Sequence, residues 1–298
     1  MDSFSTPTST KQILLRALRT ISVIQKPIVN VGLGLLYSYE IAPSNVSLSI
    51  VKLIFALTAM VLVLSHMMVL NDYFDVEVDK KKEDSRQALA EIPRKLVGVI
   101  AVILLGSGLL FAWLTSLTYF AICSMLVLLA VAYDVPPIRY KKVYQFSTLG
   151  EVSGAFLLFW AGYSLFATVD LNAIVSLRSI VVSLIPFLVL VIFKLKHEIS
   201  HVEFDAGTGK RTLAVVHGVD RVKQLIHFCI LLIVTLSLGL FLTGWISVTF
   251  LAFLVIPLIF IALVLVSSRI RFIYFVVKAD GYWGLVYFFT VVALILFS

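Results

Sequence analysis

The sequence predicts an all-α, polytopic membrane protein with nine transmembrane helices. Three observations carry this reading. Apolar residues make up 60% of the chain and charged residues only 14%, with a mean hydropathy of +1.05; one soluble core cannot hide so much apolar surface. Apolar stretches of about 20 residues, the length a bilayer requires, recur from end to end. Finally, Lys and Arg fall almost wholly on one side of the alternating spans.

Residues 1–19 form an N-terminal segment. Its first ten residues are Ser- and Thr-rich and lack the basic start and short apolar core of a signal peptide. The following "KQILLRALR" fits a short amphipathic helix on the membrane surface. Residues 20–298 form one membrane domain, with spans expected at 20–41, 50–71, 96–114, 116–133, 148–168, 178–197, 223–243, 247–267 and 280–297. Only a Leu-Thr-Ser-Leu-Thr turn separates the third from the fourth.

With these spans, 22 of the 24 basic residues lie on one side, and only Lys52 and Arg178 lie on the other. The positive-inside rule therefore places the N-terminus in the cytoplasm and the C-terminus opposite. The net charge of +7 is a topology signal rather than a sign of nucleic-acid binding. Cys123 and Cys229 both fall within spans, so neither a disulfide framework nor a thiolate metal site is expected.

The chemistry concentrates at span ends. "LNDYFDVEVD" (70–79) closes the second span, with Asn71, Asp72, Asp75, Glu77 and Asp79. Offsets of three, four and seven put Asp72, Asp75 and Asp79 on one face of a continuing helix. A solvated helix end is the ordinary explanation, but carboxylates here oppose the helix dipole and repel one another. Hard oxygen donors so arranged suit Mg²⁺, which proteins hold by one or two carboxylates plus substrate phosphates.

A second cluster, "KHEISHVEFDAGTGKRTLAVVHG" (196–218), places Glu198, His201 and Asp205 at the same three-then-four spacing. Arg86 and Arg211 follow the clusters at similar distances, and Arg forks bind phosphate oxygens. A third stretch, "AYDVPPIRYKK" (132–142), ends the fourth span with two helix-stopping prolines. A linker would explain the prolines, but Tyr133, Arg139 and Lys141 lie on the same side as both clusters. Within the spans, Gln25, Asn30, His66 and Glu151 should face a cavity or a neighbouring helix. Gly32, Gly34, Gly106 and Gly108 are expected points of close helix packing.

Together, "NDYFDVEVD", "YDVPPIRYKK" and "EFDAGTGKRTLAVVHG" resemble the motifs of the UbiA superfamily of intramembrane prenyltransferases, over nearly the full chain. The first fits that family's NDxxDxxxD and the second its Y-x-x-P-P-x-R-x-K. The resemblance implies a bundle around a central cavity open to lipid, and Mg²⁺-dependent transfer of a prenyl group from a polyprenyl diphosphate to a hydrophobic acceptor. It implies two Mg²⁺ ions, one on Asn71, Asp72 and Asp75 and one on Glu198 and Asp205. Asp79 would orient nearby basic residues. Arg86, Arg139, Lys141, Lys210 and Arg211 would bind the diphosphate, and Tyr133 would stand by the breaking C–O bond.

Two stretches depart from the family pattern. In the second cluster, Glu198 and His201 stand where the family usually has Asp; Glu is a fair substitute, though its longer arm shifts the metal. Imidazole is a poor Mg²⁺ ligand, so His201 either hydrogen-bonds the diphosphate or a bound water, with activity then depending on pH near about 6–7, or is structural. The loop "KKKEDSRQALAEIPRK" keeps Arg86 but lacks the family's proline and glycine pattern, which bears on substrate choice. A quinone precursor or lipid is the expected acceptor, without nucleic acid and without a required protein partner. The competing readings are a terpene cyclase with no acceptor, a lipid phosphotransferase and a non-enzymatic transporter. The phosphotransferase would need a Gly and an Ala-Arg pair after the first Asp residues, which "VEVDKKK" lacks. A transporter would place its carboxylates mid-membrane rather than at the rim.

Overall fold

A computed structural model describes residues 27–41, 48–79, 93–166, 176–254 and 280–297. The N-terminal segment, Gln25 and Arg86 lie outside these residues; Asp79 and Glu151 lie on described helices, but their side chains are outside the described set. The helices are α1 (Pro27–Ile41), α2 (Ile50–Asp79), α3 (Arg94–Thr115), α4 (Leu117–Asp134), α5 (Tyr144–Tyr163), α6 (Leu177–Ser200), α7 (Val202–Gly207), α8 (Leu213–His217), α9 (Val219–Leu242) and α10 (Asp280–Phe297). Residues 248–254 form a further helix. No strand occurs among the described residues.

Five of these segments are long and apolar enough to cross a membrane: Ile50–Asp75, Arg94–Thr115, Leu117–Asp134, Leu177–Ser200 and Val219–Leu242. Ile28–Ile41 and Tyr287–Leu296 are shorter apolar helices. The outer faces of α3, α4 and α9 expose Val102, Ile103, Leu117, Leu128, Leu231 and Leu242, as a lipid-facing surface must. This is an integral membrane protein. Each expected span, where described, overlaps a helix, though the fifth, expected at 148–168, runs Tyr144–Tyr163 and ends in a turn at 164–166.

Local sequence sets the element ends. The α3–α4 turn is a single residue, Ser116, in extended conformation, whose hydroxyl accepts from the Tyr119 amide at 3.1 Å and so caps α4. Ser176 caps α6 in the same way through Ser179 N. Helix α2 runs past its apolar stretch to Asp79, so the first acidic cluster stays helical.

Successive helices pack as neighbours: α2 on α3 and α4, α3 on α4, α4 on α5, α5 on α6, and α6 on α9. Helix α1 lies on α5, and α10 on α1. Between α1, α5 and the 248–254 helix, the buried Tyr37 ring meets Phe159, Tyr163 and Phe250 at centroid distances of 5.9, 5.6 and 5.7 Å.

The end of the bundle away from the motifs has its own polar tie. Arg178 donates to the Trp245 carbonyl at 2.6 Å, and Glu40 at the end of α1 accepts from the Ser247 hydroxyl. That tie gives Arg178 a structural role. Inside the bundle, His66 Nδ1 donates to the Ala101 carbonyl at 2.8 Å and joins α2 to α3, as expected for an intramembrane histidine. Asn30 is buried on α1.

Candidate active site

Three helix ends converge on the first acidic cluster. Asn71, Asp72 and Asp75 project from the last turns of α2, and opposite them stand the end of α4 and the 3₁₀ turn Tyr140–Lys142 that follows. Arg139 Nη2 donates to Asp75 Oδ1 at 2.7 Å and to the Phe74 carbonyl at 3.1 Å. Lys141 Nζ donates to Asp75 Oδ2 at 2.8 Å. One carboxylate thus holds two cations in a half-buried setting, where ion pairs are screened less than at the surface. These cations offset the charge that the helix dipole disfavours at this end of α2.

Local backbone aims those cations. Pro136 and Pro137 end α4, with a cis peptide between them. Arg139 then adopts φ 33°, ψ 52°, the left-handed region that a non-glycine residue occupies only at a cost. The turn is braced by Tyr140, whose ring lies against α5 where Gly150 leaves room; a Cβ there would fall on the Tyr140 ring. Burial, and secondarily the charge of Asp134, push the Tyr140 phenol above its ordinary pKa. It therefore stays protonated and donates to the Leu129 carbonyl at 3.3 Å. Tyr133 meets Tyr140 edge-on at 5.3 Å, and Lys141 Nζ stands 5.9 Å from the Tyr133 ring centroid.

The second cluster gathers at the same end, around the first turns of α5. Glu198 is buried at the end of α6, accepting from the Thr148 hydroxyl at 2.7 Å and from the Leu213 amide at 3.0 Å. It thereby ties α6 to α5 and shares the capping of α8 with Thr212. Asp205 is buried on α7, with Lys210 Nζ at 3.5 Å. Lys210 is largely exposed, so that pair contributes little by itself. Arg211 lies 5.3 Å from the Tyr144 ring centroid.

His201 departs from the one-face pattern. Helix α6 stops at Ser200, and His201 is the non-helical residue between α6 and α7, with φ −115° and ψ 10°. Its ring is exposed and packs on His197 at 4.5 Å, whereas Glu198 and Asp205 are buried. His201→Ala should therefore leave folding stability within about 0.5 kcal/mol of the parent and turnover close to the parent's. A steady-state assay with saturating metal checks this.

One residue escaped the sequence reading. Asp134, beside Tyr133, is 3% exposed and accepts from Asn71 Nδ2 at 2.7 Å and from Lys141 Nζ at 2.6 Å. The available signal was a carboxylate on the last turn of a membrane helix, as unfavourable there as those of α2.

The donors fit a Mg²⁺–diphosphate better than a bare ion. No group of three or more His, Cys, Asp or Glu side chains among the described residues converges tightly enough to hold a metal alone. Mg²⁺ characteristically takes one or two carboxylates and completes its shell with phosphate and water. With its nitrogen on Asp134, Asn71 has Oδ1 to offer a cation. Glu198 keeps unused lone pairs, since each carboxylate oxygen carries two. Arg139 Nε is buried without a partner among the described residues, a donor that a diphosphate oxygen would satisfy.

Comparison with known proteins gives a consistent picture. The model of the UbiA prenyltransferase family matches residues 32–280. A UbiA homologue from Archaeoglobus fulgidus bound to GPP and Mg²⁺ is 17% identical, with a TM-score of 0.72 over 94% of this chain and 99% of that one. The structure of a digeranylgeranylglyceryl phosphate synthase is 19% identical, with a TM-score of 0.66 over 96% and 98%. A UbiA homologue from Aeropyrum pernix K1 is 13% identical, with a TM-score of 0.64 over 89% and 96%. At such identities the likeness is one of fold. No functionally curated protein matches the sequence significantly.

Proposed function

The chain belongs to the UbiA prenyltransferase family, and from that premise we propose that it transfers a prenyl group from a polyprenyl diphosphate to a lipophilic or aromatic acceptor, releasing pyrophosphate. The observation that carries the proposal is Asp75 paired with both Arg139 and Lys141 at one end of a membrane bundle, with Asn71 and the buried Asp72 on the same helix end. Carboxylate and amide oxygens beside two cations at a helix end support a site where a diphosphate is held at the rim while its tail stays in lipid.

In this reading, Asn71, Asp72 and Asp75 hold one Mg²⁺, and Glu198 and Asp205 hold a second. Bound Mg²⁺ supplies Lewis-acid stabilisation of the departing pyrophosphate. Arg139 and Lys141 bind the diphosphate oxygens, aided by Lys210 and Arg211. Asp79 and Arg86 take the orienting and phosphate-binding roles that the family resemblance gives them. The C1–O bond breaks as the electron pair leaves on the diphosphate, and the acceptor attacks C1 and gives up its displaced proton to the released pyrophosphate or to water. The rings of Tyr133 and Tyr140 shield the allylic cation from water. The site faces the cytoplasm, with the N-terminus on that side and the C-terminus opposite.

A lipid or quinone precursor is the favoured acceptor. The fold shared with a digeranylgeranylglyceryl phosphate synthase supports the lipid alternative. The test is turnover of labelled geranylgeranyl diphosphate by purified protein in detergent, against a panel of such acceptors. Removing metal with EDTA should abolish pyrophosphate release, and added Mg²⁺ should restore it. Release without acceptor consumption would replace transfer with cyclisation. Release unaffected by chelation would remove the metal from the mechanism.

A further inference from the structure

Asp134 is a carboxylate buried beside the first acidic cluster, and none of the roles above uses it. It sits on the last residue of α4, where the helix dipole disfavours an anion, and Asp75 stands close by through their shared partner Lys141. Burial makes the charge costlier still unless it is paired. Both contacts that compensate it run to the proposed machinery, and both end on the same atom, Oδ1: Asn71 Nδ2 at 2.7 Å and Lys141 Nζ at 2.6 Å.

We propose that Asp134 is the positioning residue of this site, orienting the Asn71 amide toward the metal and retaining Lys141 when Asp75 turns to it. The inference rests on the prenyl-transfer reading for its context and on the geometry for its content. A carboxylate oxygen only accepts, so Asp134 fixes which end of the Asn71 amide points at it. The nitrogen is committed to Asp134, and Oδ1, the only atom of that side chain able to ligate Mg²⁺, is the one left to do so. Partners of this kind orient metal ligands, and their loss typically costs about 10- to 100-fold in affinity or activity.

Lys141 depends on Asp134 as well. Its ammonium bridges two carboxylates, Asp75 at 2.8 Å and Asp134 at 2.6 Å. If both bonds were to Asp75, metal binding by Asp75 would release the lysine. The bond to Asp134 keeps Nζ at the rim, so the cation remains in place for the diphosphate. Asp134 does not touch substrate in this account; it acts through Asn71 and Lys141.

The experiment uses the full chain in detergent and needs no turnover. Mn²⁺ binding is titrated by electron paramagnetic resonance, and inorganic pyrophosphate binding to the Mn²⁺-loaded protein by calorimetry, with thermal unfolding as the measure of folding. Asp134→Ala removes the acceptor for both partners and should weaken Mn²⁺ at least about tenfold with the protein still folded. Asp134→Asn keeps an oxygen at the Oδ1 position but loses the charge. It should hold Mn²⁺ within about threefold of the parent while weakening pyrophosphate about tenfold. Parental Mn²⁺ affinity in folded Asp134→Ala would overturn the proposal. If that variant does not fold, parental pyrophosphate affinity in Asp134→Asn would overturn it. Weakened Mn²⁺ binding in a protein that turns over no prenyl diphosphate would sustain the role of Asp134 and sink the prenyl-transfer reading.

Discussion

Asp75→Ala is expected to reduce prenyl transfer about a thousandfold, the largest functional effect of any single substitution at this site. The side chain has two roles, and alanine removes both. As a proposed metal ligand it contributes to Lewis-acid stabilisation worth several kcal/mol; losing about 4 kcal/mol of it corresponds to about three powers of ten in rate. As the shared partner of Arg139 and Lys141, it holds two cations in register at 2.7 and 2.8 Å. Without it, Arg139 loses its only charged partner among the described residues and has less reason to keep its unfavourable left-handed backbone.

Single-turnover measurement of pyrophosphate release separates the two roles. If metal ligation dominates, excess Mg²⁺ should recover part of the lost rate, and Asp75→Asn, which keeps one oxygen, should lie between parent and alanine. If the cation contacts dominate, Mg²⁺ should recover nothing, and the Asn variant should resemble alanine. A rate within tenfold of the parent for Asp75→Ala would remove the first cluster from the mechanism altogether.

The legible and illegible parts of this protein divide on physical grounds. Hydropathy marks helices because a bilayer demands apolar length, and α2, α3, α4, α6 and α9 stand where that length occurs. The first cluster was legible because α2 remains helical through Asp79, so sequence spacing is also spatial spacing. The same arithmetic failed for His201, since spacing loses its meaning where the helix ends at Ser200 and the chain turns into α7. Asp134 was hidden for another reason. Its partners, Asn71 and Lys141, are 63 and 7 residues away, and only the tertiary approach of α2 to the α4 end brings them together. The glycines follow similar logic. Gly34 and Gly108 are close-packing points, Gly32 makes ordinary contacts, and Gly106 meets nothing within 4 Å, because a small residue in an apolar helix does not announce which face has a neighbour.

Gly34→Ala is accordingly expected to cost the most in folding. Helices α1 and α5 approach through a reciprocal pair of glycines. A Cβ on Gly34 would fall on the Phe159 carbonyl oxygen and lie 2.8 Å from both Phe159 C and Tyr163 N. A Cβ on Gly162 would meet the Val31 carbonyl oxygen, with Leu35 N 2.9 Å away. These obstacles are backbone atoms of a neighbouring helix, which cannot rotate aside as a side chain can. Overpacking a core ordinarily costs about 1–3 kcal/mol; where the helices themselves must separate, the contacts of Tyr37 with Phe159 and Tyr163 go too. The expected result is a thermal midpoint lowered by at least about 5 °C in detergent, or no monodisperse protein. Gly106→Ala is the matched control on a helix face with open space, where alanine's better helix propensity, worth about 1 kcal/mol, should leave stability unchanged or slightly raised. Equal midpoints for the two variants would mean that α1 and α5 do not meet through these glycines. A drop confined to Gly34→Ala would establish the close α1–α5 contact that fixes the helix carrying Thr148, and with it the seat of Glu198.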